Sequence, residues 1–122
     1  MSKYSNGQES IPIQKELTQI TENAGLKYLE DLGIYTVLAC DVNALKGFAS
    51  CYGTYSAGED GATIAESLLQ GSYGFYERLG NDTVLSAKYD LIKRAYFLMS
   101  NGEMNDDYFD NIYQGIVPRW SY

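Results

Sequence analysis

The chain has 122 residues, with 16 Asp or Glu against 9 Lys or Arg, no histidine, and a formal net charge of −7. One domain of that length buries a core without metal or crosslinks, and an acidic domain is poorly suited to tracking a phosphate backbone, where affinity comes from Lys and Arg. The missing imidazole excludes Ser-His, Cys-His and His-metal chemistry. Because the acidic residues are spread along the chain, they read as a solvated surface.

Residues 1–10 (MSKYSNGQES) are polar and Gly/Ser-rich, and are expected to form a flexible arm. They also lack the apolar core of a signal peptide, and uncharged runs such as Leu32 to Cys40 are far shorter than the ~20 residues that cross a bilayer. A cytoplasmic protein without membrane attachment is therefore expected. Pro12 suits a helix start, and Ile13, Leu17, Ile20, Ala24 and Tyr28 recur at helical spacing. The pattern predicts an amphipathic helix over 12–32, with Gly25 a point of bending or splitting and Gly33 a stop.

The stretch Ile34 to Tyr52 (IYTVLACDVNALKGFASCY) has few charges and is expected to lie at the centre of the fold. On a helical wheel Ile34, Leu38, Val42, Leu45, Phe48, Ala49 and Tyr52 form one apolar stripe that includes Asp41. Lack of polar-apolar alternation favours helix over strand. A continuous helix makes Asp41 a buried acid in need of a basic partner, whereas a break there makes it a cap. The same choice governs Cys40 and Cys51. In one helix they stand about 16 Å apart, beyond disulfide reach, and act as small apolar residues; in a hairpin about 43–47 they face each other and can pair.

Gly53 to Gly61 reads as a loop, and Thr63 with Glu66 as a capping box opening a helix over 63–79 with Ile64, Leu68, Phe75 and Leu79 on one face. Gly71 and Gly74 lie within it, so either the backbone is closely approached there or the helix breaks. Gly80, Asn81 and Asp82 cap a strong helix over 83–100, whose wet face is expected to carry Lys88, Asp90, Lys93 and Arg94. A short helix over 106–114 follows, and residues 118–122 form an aromatic tail with Trp120 and Tyr122. The expected architecture is all-α, a compact single-domain bundle of four or five helices spanning 1–122. The alternative is α+β with a hairpin in residues 34–55.

Asp106, Asp107 and Asp110 resemble a magnesium-diphosphate motif only over five residues, without the second acidic motif and the cations that chemistry needs; helix-start acids explain them. Gly53, Gly58 and Gly61 lack the Lys-Ser/Thr pair of a phosphate loop. No metal, cofactor or catalytic residue is assigned, and no enzyme is expected. Tyrosine is the compositional outlier, with 12 residues. Tyr73, Phe75, Tyr76, Trp120 and Tyr122 are of the types that dominate binding hot spots, and they are the expected partner-binding residues, with Gly71 and Gly74 as close-approach glycines. The expected function is a non-enzymatic protein-binding module, a small acidic inhibitor or adaptor acting by surface occlusion, of the kind viruses and mobile elements encode. The alternatives are a homo-oligomeric structural subunit and a small-ligand sensor with a tyrosine-lined pocket.

Overall fold

A computed structural model describes residues 12–36 and 40–115. The expected arm at 1–10 and the tail at 118–122 lie outside them. Five α-helices make up the bundle: α1 (Ile13–Asn23), α2 (Ala57–Gln70), α3 (Tyr73–Leu79), α4 (Thr83–Met99) and α5 (Asp106–Tyr113). Single 3-10 turns sit at Glu30–Leu32, Val42–Ala44 and Tyr52–Thr54, and no strand occurs among the described residues. The all-α expectation holds; the α+β alternative does not.

Local chemistry explains where the later helices start. Ser56, Ser72, Asp82 and Asn105 each take an extended backbone and accept, through the side chain, the N–H three residues on, satisfying a donor that the first helical turn leaves open. α2 therefore begins at Ala57, six residues before the expected start at 63. Gly58 and Gly61 gave that first turn the composition of a loop, but Ser56 and Glu59 form its cap. Gly61 has a packing role, since a Cβ there would stand 3.2 Å from Leu17 Cδ1, where α1 crosses α2.

The expected helix over 63–79 is two helices. Gly71 has φ +63° and ends α2 as a left-handed cap, a conformation glycine adopts without steric cost; Ser72 then starts α3. Similarly, α1 stops at Asn23, short of the expected residue 32, and the chain turns at Gly25.

The expected helix over 34–52 does not form. Among its described residues Val42–Ala44 makes a single helical turn and Tyr52 opens another, and a Cys40–Cys51 disulfide, with Cα atoms 6.0 Å apart, closes the segment into a loop. A continuous helix would hold those Cα atoms about 16 Å apart, so crosslink and helix exclude each other. Nor is the segment the buried centre: Ile34, Tyr35, Val42 and Tyr52 are exposed, and among its described residues only Gly47, Phe48 and Ala49 are buried. The cysteines are not buried apolar residues either, since Cys40 is exposed.

α2 occupies the middle of the bundle, packed on α1, α4, α5 and the Tyr52–Thr54 turn. Its Ile64, Leu68 and Leu69 meet Leu17 of α1, Leu85, Leu91 and Ile92 of α4, Phe75 of α3, and Phe109 and Ile112 of α5 in one apolar cluster. Each such side chain, moved fully out of water, stabilises the fold by roughly 1.5–3 kcal/mol before the entropy of ordering it is set against that gain.

Candidate functional site

Asp60, on the first turn of α2, and Lys88, midway along α4, are both wholly buried, with Lys88 Nζ 2.7 Å from Asp60 Oδ2. Two buried charges of this kind are tolerated only when their remaining bonding capacity is met. Lys88 also donates to the Gly47 carbonyl at 2.7 Å and lies 4.1 Å from the centre of the Phe48 ring, on which a cation is attracted by the π face. Tyr28 Oη donates to the same Asp60 oxygen at 2.6 Å. Thr21 Oγ1, 2.8 Å from the Leu17 carbonyl and 3.0 Å from Tyr28 Oη, has one proton to divide between them. Asp60 Oδ1 meets no hydrogen-bond partner among the described residues.

Burial pushes the Asp60 carboxyl up and the Lys88 ammonium down, each toward its neutral form, while their mutual attraction opposes both shifts. Burial, and then the bond to Asp60, also raises the Tyr28 hydroxyl. No opening reaches Lys88 or Asp60, so their chemistry is internal: they join α2, α4, the segment after α1 and the disulfide loop at one point.

Three consecutive residues receive that grip. Gly47 N–H donates to Asp82 Oδ2 at 2.7 Å while its carbonyl accepts from Lys88. Arg78 of α3 donates through one guanidinium nitrogen to the Phe48 carbonyl and through the other to the Ala49 carbonyl at 3.0 Å. Further on, the Leu29 and Glu30 N–H groups donate to the Thr54 and Tyr55 carbonyls, laying the segment after α1 beside the one before α2.

The backbone between α1 and α2 is therefore tied to the bundle at Leu29–Glu30, Gly47–Ala49 and Thr54–Tyr55. Several of its apolar side chains nonetheless face water. Among the described residues eight large hydrophobic side chains are exposed, and five of them, Leu32, Ile34, Tyr35, Val42 and Tyr52, belong to this segment; Tyr35 and Tyr52 are 73% and 65% accessible. Glu30, Asp31 and Asp41 are exposed among them.

No family model, curated protein or solved structure matches the chain.

The expected site residues fall in different places. Tyr73 is 67% exposed on the first turn of α3, with its hydroxyl 3.4 Å from Glu77. Phe75 is buried in the core, and Tyr76 is half-buried, its ring 4.3 Å from Tyr113 and 5.9 Å from Tyr89. Trp120 and Tyr122 lie outside the described residues. Gly71 acts as a left-handed helix cap, and Gly74 lies inside α3 with open space beside it. Asp41, expected as a buried acid or a cap, is exposed. Asp106 is paired with Lys93 at 2.8 Å, and no group of three or more His, Cys, Asp or Glu side chains converges among the described residues.

An apolar groove of about 270 Å³ runs between α1, α2 and α4 and is lined by Ile13, Ala57, Gly61, Ala65, Ile92 and Met99, with Tyr96 as its tyrosine. No described helix is long and apolar enough to cross a membrane.

The buried pair escaped the sequence reading although a signal was present. Lys88 falls three and four residues from Leu85, Leu91 and Ile92, within the apolar stripe, and Asp60 falls four before Ile64. A charge at a core position of one helix together with an opposite charge at a core position of another marks a buried pair.

Proposed function

We propose that this protein is a non-enzymatic protein-binding module that presents the segment between α1 and α2 to its partner and acts by covering the partner's surface, as an inhibitor or adaptor does. One observation carries the reading: Leu32, Ile34, Tyr35, Val42 and Tyr52 are exposed on a segment that the disulfide, Arg78 and the buried pair tie at Cys40–Cys51 and Gly47–Ala49. Apolar side chains in water are unfavourable for the free protein, and a backbone already held in one shape loses little entropy on binding. Aromatic anchors on such a segment are the residues expected to dominate affinity. Glu30, Asp31 and Asp41 suit a partner face that combines apolar and basic groups. Tyr73, separately exposed on α3, is a further contact.

The disulfide suits a compartment where thiols are oxidised, which bears on the cytoplasmic location expected from sequence.

The test compares wild type, Tyr35→Ala with Tyr52→Ala, and Tyr73→Ala as baits in an extract of the source organism, with static light scattering on each. The double variant should retain at least tenfold less partner while its helical circular dichroism is unchanged. Equal capture by wild type and double variant overturns the site. A concentration-dependent dimer abolished by the same pair of substitutions would show that the partner is a second copy.

A further inference from the structure

We propose that Tyr76 and Tyr113 form a site of oxidative crosslinking, at which a haem peroxidase with hydrogen peroxide joins the two rings as dityrosine and ties α3 to α5, independently of what the protein binds.

Two tyrosines couple most readily where their rings already touch. The Tyr76 and Tyr113 ring centres are 4.3 Å apart with an interplanar angle of 36°, a tilted stack in which carbons of one ring lie against carbons of the other. The fold builds this contact from two separate helices. Ser72 caps α3 and Asn105 caps α5, Phe75 is buried beside Tyr76 with its ring edge-on at 5.5 Å, and Phe109 and Ile112 seat α5 in the core. Tyr76 and Tyr113 are both half-buried. Each is therefore held in place by packing and still comes close enough to the surface for an oxidant that acts by electron transfer.

The surrounding rings single out this pair. Phe75 and Phe109 lack the hydroxyl whose proton leaves as the electron does. Tyr89 is edge-on to Tyr76 at 5.9 Å, and Lys93 Nζ lies 4.5 Å from the centre of the Tyr89 ring. An ammonium on that face makes the loss of an electron from Tyr89 less favourable, because it is attracted to the same π density that oxidation removes. Tyr35, Tyr52 and Tyr73 are exposed and can meet tyrosines of another molecule, so coupling there gives a dimer.

Each ring of the pair gives up one electron and its phenolic proton, leaving a phenoxyl radical with spin on the oxygen and on the carbons ortho to it. Rotation about the side-chain bonds brings an ortho carbon of each ring together, and the carbon–carbon bond forms. The hydrogen on each joined carbon is then lost as a proton while the oxygen regains one, restoring both phenols. In sum one carbon–carbon bond is made, two carbon–hydrogen bonds are broken, and two electrons and two protons leave the protein. The peroxidase passes them to hydrogen peroxide, which becomes two molecules of water.

The experiment treats the dilute whole chain, disulfide intact, with a haem peroxidase and limiting hydrogen peroxide, and separates monomer from dimer under denaturing conditions. The monomer should gain the blue fluorescence of dityrosine, lose two hydrogens in mass, and yield on proteolysis a peptide pair joined through Tyr76 and Tyr113. Tyr76→Phe and Tyr113→Phe should each abolish the fluorescence of the monomer, whereas Tyr89→Phe should retain it, with helical circular dichroism showing that each variant is folded. Where a variant does not fold, the peptide map of the wild type decides the matter. Dityrosine confined to dimers overturns the site, and so does a monomer whose crosslink maps to another pair, survives Tyr76→Phe or is lost in a folded Tyr89→Phe.

Discussion

Lys88 Nζ and Asp60 Oδ2 meet at 2.7 Å with neither side chain reaching solvent. The pair is costly to desolvate, and its effect is to specify the fold: Asp60 can be buried only where Lys88 arrives, and Lys88 fills its second bond only where Gly47 offers a carbonyl. Lys88→Met leaves the Asp60 carboxylate buried without its cation and should lower the unfolding free energy by about 3–5 kcal/mol. Adding Asp60→Leu should restore most of that loss, because two apolar side chains replace two charges. Urea titrations of both variants check the ordering; a double variant no more stable than the single one would refute it.

Gly47 has φ +84°, and a Cβ there would stand 2.9 Å from Val84 Cγ1 and 3.1 Å from Leu26 Cδ1. Gly47→Ala should therefore cost about 1–2 kcal/mol for the left-handed backbone alone, with the contacts adding to it. Gly74→Ala should act in the opposite sense. Its Cβ meets nothing within 4 Å inside α3, and alanine is favoured over glycine in a helix by up to about 1 kcal/mol. The two thermal midpoints should move apart in opposite directions from wild type.

Arg78 spans two carbonyls with one planar group, a geometry lysine cannot copy. Arg78→Lys should lose one of the two charge-assisted bonds and lower stability by about 1–3 kcal/mol. Exchange of the amides that follow Gly47 should quicken with it, as measured by mass spectrometry; a variant with wild-type midpoint and wild-type exchange would show that the fork is dispensable.

Alkaline pH should unfold the protein. Burial raises the hydroxyls of Tyr28, Tyr76 and Tyr89 above their ordinary values. A group whose folded pKa is raised binds its proton more tightly when folded. Its contribution is fully present below the unfolded value near 10 and is lost as pH climbs from there toward the folded one. Tyr28 alone, almost completely buried, should remove about 1.4 kcal/mol per pH unit in that window. Thermal midpoints should fall from pH 10 upward, and tyrosinate absorbance should show a late fraction of rings that ionises together with unfolding.

Local interactions made much of the fold legible. The helices expected over 83–100 and 106–114, observed over 83–99 and 106–113, were visible in their spacing and, for the first, in its cap at Asp82, because an amphipathic stripe needs no distant partner to be recognised. Composition misled at Gly58 and Gly61, where glycine resembled a loop but served helix packing and left Ser56 as the true cap. Among the expected contact residues, Tyr73 is on the surface and Phe75 is in the core, though only two positions separate them. Tyr35 and Tyr52, the most exposed aromatic side chains of the presented segment, carried no signal, since exposure belongs to a three-dimensional neighbourhood and tyrosine is common to surface and core.

The sequence by itself determined an all-helical chain, an acidic surface and the absence of imidazole chemistry, since these follow from composition and from periods of three and four residues. Tertiary structure alone decided the path of residues 40–55. There the main-chain carbonyls of Gly47, Phe48 and Ala49 are claimed by Lys88 and Arg78 from later in the chain, and Cys40 is bonded to Cys51. The hydrophobic pattern, without polar-apolar alternation, favoured a helix up to Tyr52. Long-range bonds and a covalent crosslink together outweigh preferences of a few tenths of a kcal/mol per residue, so the segment that resembled a core helix became the exposed loop the rest of the fold holds in place.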